Sequence, residues 1–137
     1  MELLINDKVA IGELQKQFNQ EFPYLKLEFF DSPPTFDGLP KSRVHANHKL
    51  LGACRKIHTG GVLVINADVT VERLEKTFWQ QFGLTVEVFR KSGNMWIETT
   101  LSDSWTLRRQ NEEGKAMNAG NFIKPELEDP LDRDLWQ

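Results

Sequence analysis

Residues 1–22 and 61–82 read as one segment written twice. At a constant offset of sixty, Leu3/Leu63, Ile5/Ile65, Asn6/Asn66, Val9/Val69, Leu14/Leu74, Lys16/Lys76, Phe18/Phe78, Gln20/Gln80 and Phe22/Phe82 coincide. With one residue dropped, Leu25–Phe30 continues onto Leu84–Phe89. Two copies of a strand–helix–strand unit constrain architecture, because neither copy can bury its apolar face alone. They carry little information about chemistry.

The patterning supplies the elements. Glu2–Asn6 and Gly61–Asn66 are short apolar runs that suit covered strands. Ile11, Leu14, Phe18, Phe22 and Val71, Leu74, Phe78, Phe82 each make one helical stripe facing a sheet. Thr70 can cap the second helix, with Val69 stapling onto Leu74; Ala10 at the matching place cannot cap the first. Pro23 and Gly83 end the two helices. Leu25–Phe30 alternates, with Leu25, Leu27 and Phe29 on one face and Lys26, Glu28 and Phe30 on the other. Leu84–Arg90 does the same, and a turn at Ser92-Gly93 would place Phe89 opposite Trp96 on a further strand, 95–101. Asp31–Ser42, with three prolines and a glycine, is a loop. Asn47 can cap an inserted helix to about His58, burying Leu50, Cys54 and Ile57; Asp103 can cap a short helix ended by Gly114.

The expected fold is α+β: two βαβ units, about 2–30 and 61–90, forming a ferredoxin-like sandwich. That is an antiparallel sheet with two helices on one face, an extra edge strand and the inserted helix. An α+β arrangement with helix 47–58 on the opposite face is the competitor. Residues 1–114 form the domain and 115–137 an acidic flexible tail.

Charge narrows the partners. The net charge is −3, but seven acids face three bases from residue 112 onward, which leaves residues 1–111 at +1. So balanced a folded part has no broad basic field of the kind nucleic-acid binding leans on. No apolar run reaches the ~18 residues of a membrane span. The start, MELLINDK, lacks the basic and apolar regions of a secretory signal, and a single cysteine fits a reducing cytosol. A cytoplasmic protein is expected.

No enzyme motif emerges. His45, His48, Cys54 and His58 fall within fourteen residues, but their spacing fits no common zinc frame, so neither metal nor cofactor is expected. Cys54 and His58 stand four apart, the separation that allows contact on a helix, yet Cys54 falls on the apolar side, where burial raises a thiol pKa. Ser104 beside Asp103 suits helix-start chemistry better than hydrolysis. Gly60-Gly61 precedes a strand, whereas phosphate loops follow one.

The aromatic residues stand out. Phe30, Phe89 and Trp96 project from the sheet face away from the repeat helices, and Trp105 opens the last helix. Aromatics dominate the residues that carry binding energy, so this face is the candidate contact for a protein partner or a second copy. The alternative is that the inserted helix, the Pro-rich loop or the last helix covers it. A small-ligand or nucleic-acid module on the same face is the runner-up, although no RNP1 pattern accompanies the aromatics. Asp129–Trp136, with Trp136 among acids, is a secondary docking motif. An enzyme using His45, His48, Cys54 or Asp103 comes last. The stretch VEVFRKSGNMWIETTLSDSWTL, with LGACRKIH ahead of it, resembles a group of small bacterial proteins for which no activity is established. The resemblance spans most of residues 1–114, implies a bacterial cytosolic origin and assigns no site residue.

Overall fold

The computed structural model describes residues 1–34, 43–44 and 46–123, the side chains of 120–123 aside. His45, the Pro-rich stretch from 35 to 42, and the acidic end with Trp136 lie outside the described residues. The chain runs β1 (Glu2–Ile5), α1 (Ile11–Glu21), β2 (Leu25–Phe30), β3 (Gly61–Val64), α2 (Val71–Phe82), β4 (Thr85–Ser92), β5 (Met95–Glu98) and α3 (Leu107–Ile123). It is an α+β fold with antiparallel sheets. No described helix is long and apolar enough to cross a membrane.

The helices start and stop for the reasons their ends supply. Thr70 Oγ1 accepts the Arg73 N–H at 3.1 Å, while Ala10 makes no side-chain cap. The first turn of α1 is held instead by a neighbouring segment, with Ile11 N donating to Lys49 O at 2.9 Å and Gly12 N to Asn47 O at 2.8 Å. Val71 N donates to Trp105 O and Glu72 N to Asp103 O in the same way. Gly83, at φ +64°, closes α2 in the left-handed region.

The strands divide between two ladders instead of joining in the single sheet expected. β1 pairs with β3, and β2–β4–β5 form the other sheet. Leu3 faces Leu63, with Glu2 opposite Val64 and Leu4 opposite Val62. Glu28 faces Glu87, with Leu27 opposite Val88 and Phe29 opposite Val86. In both ladders a residue faces its own counterpart in the other half, and the flanking pairs mirror each other about it. The side chains of both ladders meet α1 and α2 in one core: Leu3, Ile5, Leu63 and Ile65 join Leu27, Phe29, Val86 and Val88 around Phe18 and Phe78. Phe29 meets Phe78 edge-on at 6.2 Å, a favoured aromatic geometry.

Three local expectations are corrected. The stretch 47–58 is not an α-helix; it holds one 3-10 turn, Leu51–Ala53. Its backbone is committed elsewhere: Lys49 and Asn47 carbonyls receive the α1 donors, and Leu51 N and Gly52 N donate to Val9 O and Asp7 O. Leu51 is therefore buried, while Leu50 and Ile57 are exposed and Cys54 half-buried. The last helix starts at Leu107, with Thr106 Oγ1 capping Arg109 N, and runs through Gly114. Gly114 is a packing residue: a Cβ there would lie 2.8 Å from Tyr24 Cβ and 3.2 Å from Arg90 Cγ. The boundary drawn at 114 thus falls inside α3. Finally, Ser92 pairs with Met95, so the hairpin turns at Gly93-Asn94, with Gly93 at φ +61°.

Candidate functional site

Moving the turn by one residue shifts the β4–β5 register by two, so Phe89 faces Glu98 and Lys91 faces Trp96. An even shift keeps every side chain on its expected face. Phe89 and Trp96 therefore still share the side of the sheet away from the core, with Lys26, Glu28, Phe30 and Glu87.

That face is partly covered. Phe30 and Phe89 are only 8% and 5% exposed, yet neither belongs to the main core cluster. Trp96 is half-buried. The Arg43 guanidinium lies 5.1 Å from the Phe89 ring centre, and Lys26 Nζ 5.0 Å from that of Trp96. Such contacts place each cation on the electron-rich ring face. Lys26 Nζ also stands 2.8 Å from Glu28, and Arg43 3.8 Å from it. The cations answer a real problem, since Glu28 is buried and directly opposite Glu87. Like charges facing across a ladder are unfavourable, and a buried carboxylate needs a partner.

Beside this cluster a groove of about 560 Å³ opens between α1 and the residues around Arg43–Asn47, bounded by Gln15, Lys16, Asn19, Lys26, Leu27, Glu28, Arg43, Val44, Asn47 and Trp96. Its floor is the free side of β2. There Gln15 Nε2 donates to Leu27 O at 2.9 Å and Asn19 Nδ2 to Leu25 O at 2.8 Å, so helix amides satisfy carbonyls that a further strand would otherwise take. Lys16 is exposed and has no ion pair among the described residues.

A second groove of about 360 Å³ occupies the matching place in the other half. Glu75, Lys76, Trp79, Val86, Glu87 and Asp103 stand there where Gln15, Lys16, Asn19, Leu27, Glu28 and Asn47 stand in the first. Their electrostatics are opposite. The first groove has three cations and one carboxylate, the second four carboxylates (Glu72, Glu75, Glu87, Asp103) and one lysine.

The remaining candidates separate. Trp105 does not join Phe89 and Trp96. The Arg109 and Arg90 guanidinium carbons lie 3.7 and 5.8 Å from its ring centre, and Arg90 leaves β4 on the opposite side from Phe89, reaching Gln110 of α3 at 2.9 Å. His48 is exposed, and His58 pairs with Asp7, its Nδ1 2.9 Å from Oδ2. Asp7 also accepts from Arg55 Nε and Nη2 at 3.1 and 2.8 Å, while Arg55 Nη1 donates to Thr59 O and Phe82 O at 2.7 and 2.9 Å. Hydrogen bonds from His58, then Arg55, hold the Asp7 carboxyl below its ordinary range. Cys54 Sγ donates to Leu50 O at 3.4 Å, and burial pushes its thiol up, away from the reactive thiolate. No three His, Cys, Asp or Glu side chains among the described residues converge on a metal position.

Lys26 and the α1 amides were not singled out as site residues by the sequence. Lys26 had a signal, its alternation with Phe30. Gln15 and Asn19 had none, because their partners are backbone carbonyls on another element. No protein family matches the chain, and neither curated proteins nor solved structures give a significant match.

Proposed function

We propose that this chain is a non-enzymatic cytosolic interaction module, built by duplication of a βαβ unit. It binds a protein partner with the outer face of the β2–β4–β5 sheet. The observation that carries the reading is the groove beside Trp96, where a half-buried indole, three cations and three side-chain amides border one continuous depression. Phe89 supports this wall from beneath, under Arg43. Trp96 is the anchor of the contact, since tryptophan is enriched among the residues that concentrate binding energy.

The test is affinity capture with nuclease treatment, comparing wild type with Trp96→Ala and Trp105→Ala. The reading expects a partner that survives nuclease and is lost with folded Trp96→Ala but kept with Trp105→Ala. Loss with both variants, or with neither, removes Trp96 as the anchor. A self-association reading is favoured by a separate observation: Leu4, Val62 and Val64, on the outer side of the β1–β3 ribbon, are each more than half exposed. Sedimentation of wild type against Val64→Lys tests it, and a monomeric wild type ends it. A small anionic ligand or nucleic acid is the runner-up, and Glu28, Glu87 and Glu98 on the same face oppose phosphates.

A further inference from the structure

The two grooves occupy equivalent places and differ in charge, and this difference identifies a class of partner. We propose that the groove bordered by Lys16, Lys26, Arg43 and Trp96 is a docking site for an acidic, extended polypeptide segment; the proposal rests on the interaction-module reading and specifies its partner.

Charge complementarity selects the sign. The groove has cations on three different supports: Lys16 on α1, Lys26 on β2 and Arg43 on the segment bridged to Phe30. At the equivalent place in the other half, Glu75 and Asp103 replace Gln15 and Asn47, and Thr85 replaces Lys26. One chain therefore offers two grooves at equivalent places with opposite potential, and an acidic partner is steered to one and repelled from the other.

Glu28 selects the form of the partner. Its carboxylate stands 2.8 Å from Lys26 and 3.8 Å from Arg43, between the two cations. A compact anion reaching for both would press against this buried negative charge. Carboxylates spaced along a chain avoid it, one meeting the exposed Lys16 and others the outer sides of Lys26 and Arg43. The Gln15 and Asn19 amide oxygens, whose nitrogens are held by β2 carbonyls and Pro23 O, can accept from the backbone N–H groups of such a segment, as can Asn47, and Trp96 can meet an apolar residue between its acids. Nucleic acid fits less well, since Lys26 already occupies a face of Trp96 and stacking would have to displace it.

The repeated lysine provides its own control. Lys16 and Lys76 lie at matching positions of α1 and α2 and are both exposed, so neither substitution disturbs the core. The probe is a fluorescein-labelled ten-residue peptide alternating Glu with Ala or Leu, titrated into the full-length chain and followed by anisotropy and by the Trp96 indole and Asn19 amide NMR signals. The expected result is saturable one-to-one binding that perturbs those signals and falls about tenfold with Lys16→Glu, while Lys76→Glu leaves it unchanged. Absent saturation, equal losses with both variants, or tighter binding of a single-stranded oligonucleotide or of inorganic phosphate would each overturn the proposal. If the peptide fails while Trp96→Ala still loses a captured partner, only the acidic identity falls; if both fail, the interaction reading falls with it.

Discussion

Replacing Arg55 with Met should lower stability by about 3 kcal/mol, and the structure shows where that loss arises. The Arg55 side chain is 0% exposed, whereas its partner Asp7 is 41% exposed. Four hydrogen bonds leave the guanidinium, two to Asp7 and one each to Thr59 O and Phe82 O. Met keeps much of the aliphatic volume and removes every donor. Asp7 then retains His58 and water, so its loss is small. Phe82 O, at the carbonyl end of α2, is buried and loses the donor this substitution removes, at about 1–3 kcal/mol for an unsatisfied buried group. Thr59 O and the lost ion pair supply the rest, for a total near 3 kcal/mol and a Tm about 10 °C lower. Asp7→Ala should also destabilise, because it leaves the buried cation without its counter-charge. The double variant should cost less than the sum. Urea unfolding followed by tryptophan fluorescence reads all three. A loss below about 1 kcal/mol for Arg55→Met, or strict additivity, would refute the reasoning.

Three further outcomes are expected. Asp7 is held below its ordinary pKa of 3.8 in the folded chain, so its contribution is present above that value and is lost as pH falls through the lower folded pKa; Tm against pH for wild type and Asp7→Asn should converge below about pH 4, and a constant gap would contradict the pairing. Cys54, raised above the ordinary value of 9.0 by burial, should react with a thiol reagent at pH 8 more slowly than in the urea-unfolded chain, and equal rates would show that the folded thiol is not shielded. Gly114→Ala should destabilise by about 1–3 kcal/mol although alanine favours helices, because the new Cβ meets Tyr24 at 2.8 Å; a gain measured by thermal unfolding would mean that α3 can shift freely.

The helical stripes of α1 and α2 were legible because each buries one face against one core, and periodicity reports that. The faces of β2 and β4 were legible for the same reason, so Phe89 and Trp96 stayed together despite a misplaced turn. Residues 47–58 were not legible. Their apolar spacing suits a helix, but their backbone partners are the first turn of α1, some thirty-five residues away, and local pattern carries no trace of that contact. Gly114 misled in the opposite sense: it reads as a stop, and the structure uses its missing side chain to bring α3 against Tyr24. Of the candidate site, the aromatic wall could be read and the groove could not. A groove is made by the approach of three elements, and only a fold brings Lys16, Lys26 and Arg43 within one depression.

The pairing of Leu3 with Leu63 and of Glu28 with Glu87 joins the two halves through ladders as well as through the chain. Among the described residues every ladder except the β4–β5 hairpin joins one half to the other, so the first half has no sheet of its own and the second has only that hairpin. A chain cleaved between Thr59 and Gly60 should hold together as two complementing fragments, and each fragment alone should fail to fold. The peptide bond at that place then supplies proximity: it keeps the two halves at high effective concentration, while the ladders and the shared core determine the shape they make.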